Sequence, residues 1–143
     1  MPGASNSIII DVPSKAIYNV VIDFENYPSF LPDVKSVNVI SHVKGKGVVV
    51  EFEISIIKKI RYRLAFESVA SKKVTWKFVS GDLFKDNCGS WSFEEIKKGQ
   101  TRATYDVEVQ FGIPVPSLIT NKLVGHNLPG MLKRFKEHAE SLS

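Results

Sequence analysis

The sequence predicts an α+β protein built on one antiparallel sheet. Three observations support this fold class: alternating apolar and polar residues fill most of 48–111, one short helical pattern precedes them, and one long helical pattern follows them. A sheet with this alternation has one apolar face, and the sequence supplies few helices to cover it. The arrangement therefore favours a protein that wraps around an apolar molecule over one that cleaves a substrate.

The amino-terminal part is predicted to contain a strand over 7–12 and then a short amphipathic helix. Pro13 suits the first turn of this helix and Ser14 suits its cap. Residues 25–32 hold two prolines and three large apolar side chains, so they can form at most a one-turn helix whose aromatic rings must be buried or used. The apolar face of the helix recurs at helical spacing and consists of Ile17, Val20, Val21 and Phe24.

The next segments are predicted to be strands over 34–43, 48–56 and 60–68, with a glycine-containing turn at 44–47. Facing residues of an antiparallel pair point to the same side of the sheet, so loop length limits the register. A three-residue turn at 57–59 would pair Ile54 with Tyr62 and Glu53 with Arg63. Loops at 69–73 and 96–100 predict four further pairs, which are Phe66 with Trp76, Leu64 with Phe78, Trp91 with Tyr105, and Phe93 with Ala103.

A carboxy-terminal helix is predicted to begin at about Pro116 or Ser117, because the prolines of 112–116 cannot continue the sheet. Pro129 removes one backbone hydrogen bond and should kink this helix. Leu118, Ile119 and Leu123 lie off its apolar stripe. The stripe itself comprises Val124, Leu128, Met131, Leu132, Phe135, Ala139 and Leu142.

Length and composition indicate one globular domain over residues 1–143, of which 43% are hydrophobic and 24% charged. No stretch approaches the ~20 apolar residues of a membrane-spanning helix, and the amino terminus lacks the pattern of a secretion signal, so we expect a cytoplasmic protein. The single cysteine, Cys88, excludes an internal disulfide and is expected to fill space in a strand.

Three sequence segments resemble the START-like (Bet v 1-like, SRPBCC) superfamily. The opening "VPSKAIYNVVIDFENYPSFLPDVKSV" at 12–37, the segment "SGDLFKDNCGSWSFEE" at 80–95 and the ending "LKRFK" at 132–136 are similar to its polyketide cyclase/dehydrase group, which includes coenzyme Q-binding proteins and ribosome-association toxins. The resemblance implies a helix-grip fold, in which a curved antiparallel sheet of about six or seven strands wraps around a long carboxy-terminal helix, with one or two short helices after the first strand. The two prolines in "FGIPVPSLITNKL" at 111–123 depart from that pattern.

Residues that could carry metal or acid–base chemistry are poorly placed in the sequence. His42, His126, His138 and Cys88 do not have ligand spacing, and Gly45-Lys46-Gly47 lacks the form of a phosphate-binding loop, so neither a metal nor a cofactor is expected. The adjacent Glu94 and Glu95 point to opposite faces of a strand. The remaining carboxylate pair, Asp23 and Glu25, flanks the end of the first helix, where Asp23 more plausibly terminates it. No catalytic residue is therefore assigned.

A basic stretch surrounds two of the predicted hairpin ends. The net charge of +4 and this stretch favour acidic partners such as RNA or an anionic membrane surface. The resemblance to the ribosome-association toxins implies contact with a ribosome, whereas specific DNA binding is not expected. Arg63 would face Glu53 in the predicted register, and lysines at turns are typical of a solvated surface. The stretch consists of Lys58, Lys59, Arg61, Arg63, Lys72, Lys73 and Lys77.

Aromatic residues occupy inward positions on the predicted strands and suggest a cavity between the sheet and the last helix. The predicted ligand-binding residues are Tyr62, Phe66, Trp76, Phe78, Trp91, Phe93, Tyr105, Leu128, Leu132 and Phe135. The predicted entrance is formed by Tyr27, Phe30, Leu31, Ile113 and Ile119.

The cavity predicts binding of a hydrophobic small molecule, and by resemblance that ligand is a lipid, an isoprenoid quinone or a polyketide-like compound. Two alternatives remain at this point. One is a polyketide aromatase or cyclase in which Tyr62 or Tyr105 donates a proton. The other is a ribosome-associating module that uses the outer basic surface.

Overall fold

The computed structural model describes residues 3–43, 47–55, 59–120 and 128–142. Within these residues the chain forms an antiparallel sheet of seven strands, which confirms the predicted fold class. The strands are β1 (Gly3–Ile10), β2 (Val34–Val43), β3 (Gly47–Ser55), β4 (Lys59–Val69), β5 (Lys73–Gly81), β6 (Phe84–Lys97) and β7 (Gln100–Phe111). The helices are α1 (Ser14–Ile22), a 3₁₀ helix (Phe24–Ser29), α2 (Ser117–Thr120) and α3 (Leu128–Ser141).

The sheet is a meander from β2 to β7, to which β1 adds beside β7, so its strand order is β1-β7-β6-β5-β4-β3-β2. Register shifts interrupt the pairings of β2 with β3, β4 with β5, and β6 with β7, and such irregularities bend and twist the strands. The helix α3 lies on the concave face, where Leu132, Phe135 and Ala139 are buried. The sheet and its terminal helix thus have the helix-grip arrangement.

Alternating burial confirms the predicted faces of the central strands. The pairs Phe66 with Trp76 and Trp91 with Tyr105 occur as predicted, as do Leu64 with Phe78 and Phe93 with Ala103. The predicted β3–β4 register is wrong by two residues, since Ile54 faces Ile60 and Tyr62 faces Phe52. A shift of two keeps every side chain on its own face, so alternation alone does not distinguish the two registers.

The first helix differs from its prediction at its amino-terminal end. Pro13 takes the cap position with an extended backbone and Ser14 is the first helical residue, so the expected Ser14 cap does not form. The Ser14 backbone N–H instead donates to Glu95 Oε1 at 3.0 Å. Asp23 ends α1 as expected. The 3₁₀ helix that follows spans six residues, which is longer than the single turn predicted.

The terminal helical region is described in two parts. The predicted start at Ser117 is the first residue of α2, and the stripe residues of α3 pack inward except Leu142, whose side chain is exposed. The stripe prediction is therefore wrong at Leu142, which follows the last residue of α3. The predicted kink at Pro129 and the stripe position Val124 involve residues 121–127, which lie outside the described residues, as do Leu123, His126, and Ile56 of the third predicted strand.

The sheet has its shortest strand pairing between β5 and β6, and we call this place the division of the sheet. These strands pair over only four residues, from Lys73 with Ser92 to Trp76 with Gly89, whereas β6 and β7 pair along nearly their whole length. The Trp76 indole crosses the division and lies against Gly89, where an added Cβ would come within 2.5 Å of the ring and 2.2 Å of the Asp106 carbonyl oxygen. A glycine is therefore required at this crossing.

The described helices include none that is long and apolar enough to cross a membrane.

Candidate ligand cavity

A cavity of about 150 Å³ lies between the concave face of the sheet and α3. Each water in the liquid occupies about 30 Å³, so the space would hold about five waters or one aromatic ring. Typical drug-sized ligands occupy pockets of about 300–1,000 Å³. The lining residues are Tyr27, Leu31, Val34, Phe52, Tyr62, Leu64, Phe66, Trp76, Phe84, Asn87, Trp91, Tyr105, Val107, Val109, Met131 and Phe135.

Aromatic rings in edge and tilted contacts form the walls. The Phe135 ring reaches down from α3 and meets Trp91 edge-on, with ring centres 5.0 Å apart. Tyr105 contacts Trp91 at 5.1 Å and Trp76 at 5.4 Å, which links β7 to both β6 and β5. Such contacts hold large rings in defined orientations, so the cavity is a gap between packed rings with fixed walls.

Two tyrosine hydroxyls give this apolar cavity its polar character. Tyr62 and Tyr105 both line it, and burial raises the pKa of each hydroxyl well above its usual value. The negative charge that Tyr62 would carry if ionised raises the pKa of Tyr105 further. Both groups therefore stay protonated at neutral pH.

A third hydroxyl, that of Tyr27, already has a hydrogen-bond partner. It donates a hydrogen bond of 2.5 Å to the backbone carbonyl oxygen of Val21, and burial raises its pKa. The Tyr27 ring also meets Phe135 edge-on at 5.4 Å. Tyr27 therefore acts mainly as a packing element that joins the 3₁₀ helix to α1 and α3.

Asn87 is the one amide side chain among the described lining residues. Its Oδ1 accepts a hydrogen bond of 3.1 Å from the Trp76 indole N–H, which bridges the division between β5 and β6. Asn87 was not among the predicted ligand-binding residues, because a polar residue at an inward strand position is informative only when its partner on a neighbouring strand is known. The alternation of 87, 89, 91 and 93 was the available signal, since it places Asn87 on the same face as Trp91.

Six of the ten predicted ligand-binding residues line the cavity, and four do not. Phe78 contacts Phe84 from outside it, and Phe93 lies between Tyr18 and Trp91. Leu128 and Leu132 are buried in the core beside the cavity. The six that line it are Tyr62, Phe66, Trp76, Trp91, Tyr105 and Phe135. The lining residues that the prediction omitted are Val34, Phe52, Leu64, Phe84, Asn87, Val107, Val109 and Met131.

The predicted entrance residues occupy different environments. Tyr27 and Leu31 are buried and line the cavity. Phe30 packs against Phe135 at 5.1 Å and stacks on the His138 ring at 4.2 Å. Ile113 is 57% exposed on the segment between β7 and α2. The side chain of Ile119, in α2, lies outside the described residues. The entrance assignment stays a prediction.

Charged residues on the outer face of β3 and β4 form ion pairs with one another. Arg61 contacts Glu53 at 2.6 Å, and Arg63 contacts Glu51 at 2.9 Å. The predicted pair of Arg63 with Glu53 does not form. Because the register is shifted by two residues, Arg63 faces Glu51 and Arg61 faces Glu53. The acidic partners offset the positive charge of these arginines, which weakens the case for an anion-binding surface here.

The described residues contain no group of three or more His, Cys, Asp or Glu side chains that could hold a metal ion. Glu94 and Glu95 are exposed, and Glu94 pairs with Arg102 at 3.3 Å. Burial raises the pKa of the half-buried Cys88 thiol, as do the nearby Asp86 and Glu108 carboxylates, which keeps the thiol protonated and poorly nucleophilic. None of these groups lines the cavity.

Solved structures of other proteins share this fold. A START superfamily protein from Mycobacterium smegmatis is 21% identical with a TM-score of 0.88, and the alignment covers 100% of both chains. The Zhui aromatase/cyclase from Streptomyces sp. R1128 is 11% identical with a TM-score of 0.84 over 96% of this chain and 93% of its own. A protein from Thermus thermophilus is 22% identical with a TM-score of 0.84 over 99% of each chain.

Residues 10–136 match the family described as polyketide cyclase / dehydrase and lipid transport. The chain belongs to this family, which confirms the resemblance drawn from the sequence motifs. A search among curated proteins gives no match.

Proposed function

We propose that residues 1–143 act as one domain that binds a hydrophobic small molecule in the cavity between the sheet and α3. The observation that carries this proposal is an aromatic-lined cavity containing two protonated hydroxyls, Tyr62 and Tyr105, which the described residues leave without hydrogen-bond partners. A concave apolar site with a few polar groups is how proteins usually bind small molecules. The family's description, which includes lipid transport, supports the same role.

The volume of the cavity limits how a large ligand could be held. A lipid, an isoprenoid quinone or a polyketide-like chain is larger than about 150 Å³, so we propose that such a ligand places a ring or chain end in the cavity. The remainder would extend toward the Tyr27–Leu31 turn and the exposed Ile113 segment. Burial of apolar surface at ~25 cal/mol per Å² would supply most of the affinity.

An aromatase or cyclase activity is the second candidate, and the Zhui aromatase/cyclase among the structural neighbours favours it. General acid–base catalysis works best with a group whose pKa lies near the operating pH. The described lining residues include no carboxylate, histidine or lysine, and the pKa values of their tyrosine hydroxyls are all raised. These residues suit hydrogen bonding to a ligand better than proton transfer, so binding is the preferred proposal.

Contact with a ribosome or membrane is not proposed, because Arg61 and Arg63 already pair with glutamates on the same face. A cytoplasmic location is proposed as the natural setting of a small binding protein with one cysteine.

Native mass spectrometry tests the proposed binding. The purified protein, before and after incubation with decanoic acid, decylubiquinone and 2-naphthol, should carry a one-to-one adduct with at least one hydrophobic compound. Val107→Phe, which fills the cavity, should lose the adduct, whereas Val79→Phe on the exposed side of β5 should keep it. Absence of any adduct, or equal adducts in both variants, would contradict binding in this cavity.

A further inference from the structure

The hydroxyls of Tyr62 and Tyr105 have hydrogens that no described residue accepts. Neither hydroxyl is sealed inside the core, because the described residues contain no fully buried side-chain nitrogen or oxygen without a partner. Each oxygen must therefore border open space. Tyr62 and Tyr105 both line the cavity between the sheet and α3, so we take this cavity to be the space that the hydroxyls border.

Two acceptors near this part of the core already receive a hydrogen bond from another residue. Asn87 Oδ1, the side-chain carbonyl of the lining, accepts from the Trp76 indole, and the Val21 carbonyl oxygen accepts from Tyr27. The Asn87 amide nitrogen adds further donor hydrogens on the same wall. The described lining thus offers unused donor hydrogens to whatever occupies the cavity, and a donor that a ligand leaves unmatched destabilises the complex.

The size of the cavity limits the size of the ligand group that it can hold. A cavity of about 150 Å³ lined mainly by large apolar side chains is of the order that holds one benzene-sized ring. Phe52 stacks on Tyr62 at 5.5 Å and Trp91 meets Tyr105 at 5.1 Å, so both hydroxyl-bearing rings are held in place by neighbours. Donors on rigid rings select ligands by geometry as well as by polarity.

Building on the proposed function, we infer that the cavity selects a compact aromatic carbonyl group, whose oxygen accepts hydrogen bonds from Tyr62 and Tyr105. The ring of the ligand packs among Trp76, Trp91 and Phe135. The two tyrosines are then specificity-determining residues, because they discriminate a carbonyl-bearing ring from a hydrocarbon of the same shape.

A matched pair of probes tests this inference. Acetophenone and ethylbenzene have nearly the same shape and differ in one carbonyl oxygen. Calorimetric titration should show that the wild-type protein prefers acetophenone by about tenfold once the water-to-alkane transfer of each probe is subtracted. Tyr62→Phe and Tyr105→Phe should each reduce the preference, and the double variant should remove it while ethylbenzene binds as before.

Tyr18→Phe is the control variant, because the Tyr18 hydroxyl donates to Ser68 Oγ at 3.0 Å and Tyr18 does not line the cavity. It should leave the preference unchanged. If ethylbenzene and acetophenone bind the wild-type protein with no difference after the correction, the carbonyl inference is overturned and the binding function stands. If neither probe nor any hydrophobic compound binds, both the inference and the proposed function are overturned.

Discussion

The inner and outer faces of β3 and β4 carry side chains of opposite chemistry, although both faces belong to the same two strands. On the inner face, Phe52 stacks on Tyr62 and lines the cavity. On the outer face, Glu51 and Arg63 alternate with them and neutralise each other at 2.9 Å. The outer groups already have their partners, whereas the inner hydroxyls do not. This difference is the reason for proposing that a ligand is recognised on the inner face.

The inner and outer faces of β3 and β4 should also differ in how much they contribute to stability. Burial of large rings on the inner face is worth several kcal/mol per side chain, whereas exposed ion pairs contribute about 0.2–1 kcal/mol. Substitutions on the two faces should therefore differ in size as well as in their effect on binding.

The largest effect is expected from Phe135→Ala on the inner face. Phe135 is 2% exposed and packs against Tyr27, Phe30 and Trp91, so its loss should lower the free energy of unfolding by about 3–5 kcal/mol in chemical denaturation. The enlarged cavity should also admit larger ligands. Leu142→Ala, at an exposed position after α3, is the control and should change stability little. Similar losses in the two variants would contradict the inner-face account.

The next effect is expected at the division of the sheet. Gly89→Ala would bring a methyl group against the Trp76 ring and the Asp106 carbonyl oxygen, and the strand backbone cannot yield without disturbing β7. We expect a loss of about 1–3 kcal/mol in thermal unfolding, with perturbed near-ultraviolet circular dichroism from Trp76.

Gly130→Ala provides the matched control for this substitution. Its new methyl group would meet nothing within 4 Å, and alanine is favoured over glycine in helices by about 1 kcal/mol. Gly130→Ala should therefore be neutral or stabilising. A Gly89→Ala variant as stable as the wild-type protein would show that the Trp76 crossing is not closely packed.

The dependence of stability on alkaline pH tests the burial of the Tyr105 hydroxyl. The raised pKa of Tyr105 means that the folded state keeps a proton that the unfolded state releases above about pH 10. This contribution to stability is fully present below that pH and is lost as pH rises through the folded pKa. In denaturation experiments, the free energy of unfolding of Tyr105→Phe should therefore fall less steeply with rising alkaline pH than that of the wild-type protein. Identical pH profiles would indicate that the hydroxyl is solvated.

The smallest effect is expected on the outer face. Arg63→Gln removes the ion pair with Glu51 and should cost about 0.2–1 kcal/mol, less at high salt. Ligand binding should not change, because Arg63 does not line the cavity. A loss of binding in Arg63→Gln equal to that in Val107→Phe would move the site to the exterior.

The sequence predicted the faces of the strands better than the partners of individual residues. Alternation fixed which side chains point inward, so the Trp91–Tyr105 and Phe66–Trp76 pairs were found. It could not separate two β3–β4 registers that differ by two residues, because both place Ile54 on the inner face.

Some residues of the site could not be predicted, because their roles depend on contacts between different strands or between α3 and the sheet. Asn87 belongs to the site because it accepts a hydrogen bond from the Trp76 indole on the neighbouring strand. No sequence pattern predicts this contact, because β5 and β6 pair over only four residues and Asn87 lies beyond them. Leu128 and Leu132 share the apolar stripe of α3 with Phe135, but neither of them lines the cavity as Phe135 does, because the rotation of the helix over the sheet decides which stripe residue faces it.

The most direct test uses the two tryptophans, both of which line the cavity. Their indole N–H groups give two side-chain resonances in an ¹⁵N-correlated NMR spectrum, and these can be followed while acetophenone is added. We predict saturable shifts of both indole signals, with little change in the backbone amides of Arg63 and Lys77. Saturable shifts confined to outer-face amides, with both indole signals unmoved, would contradict a guest between the sheet and α3.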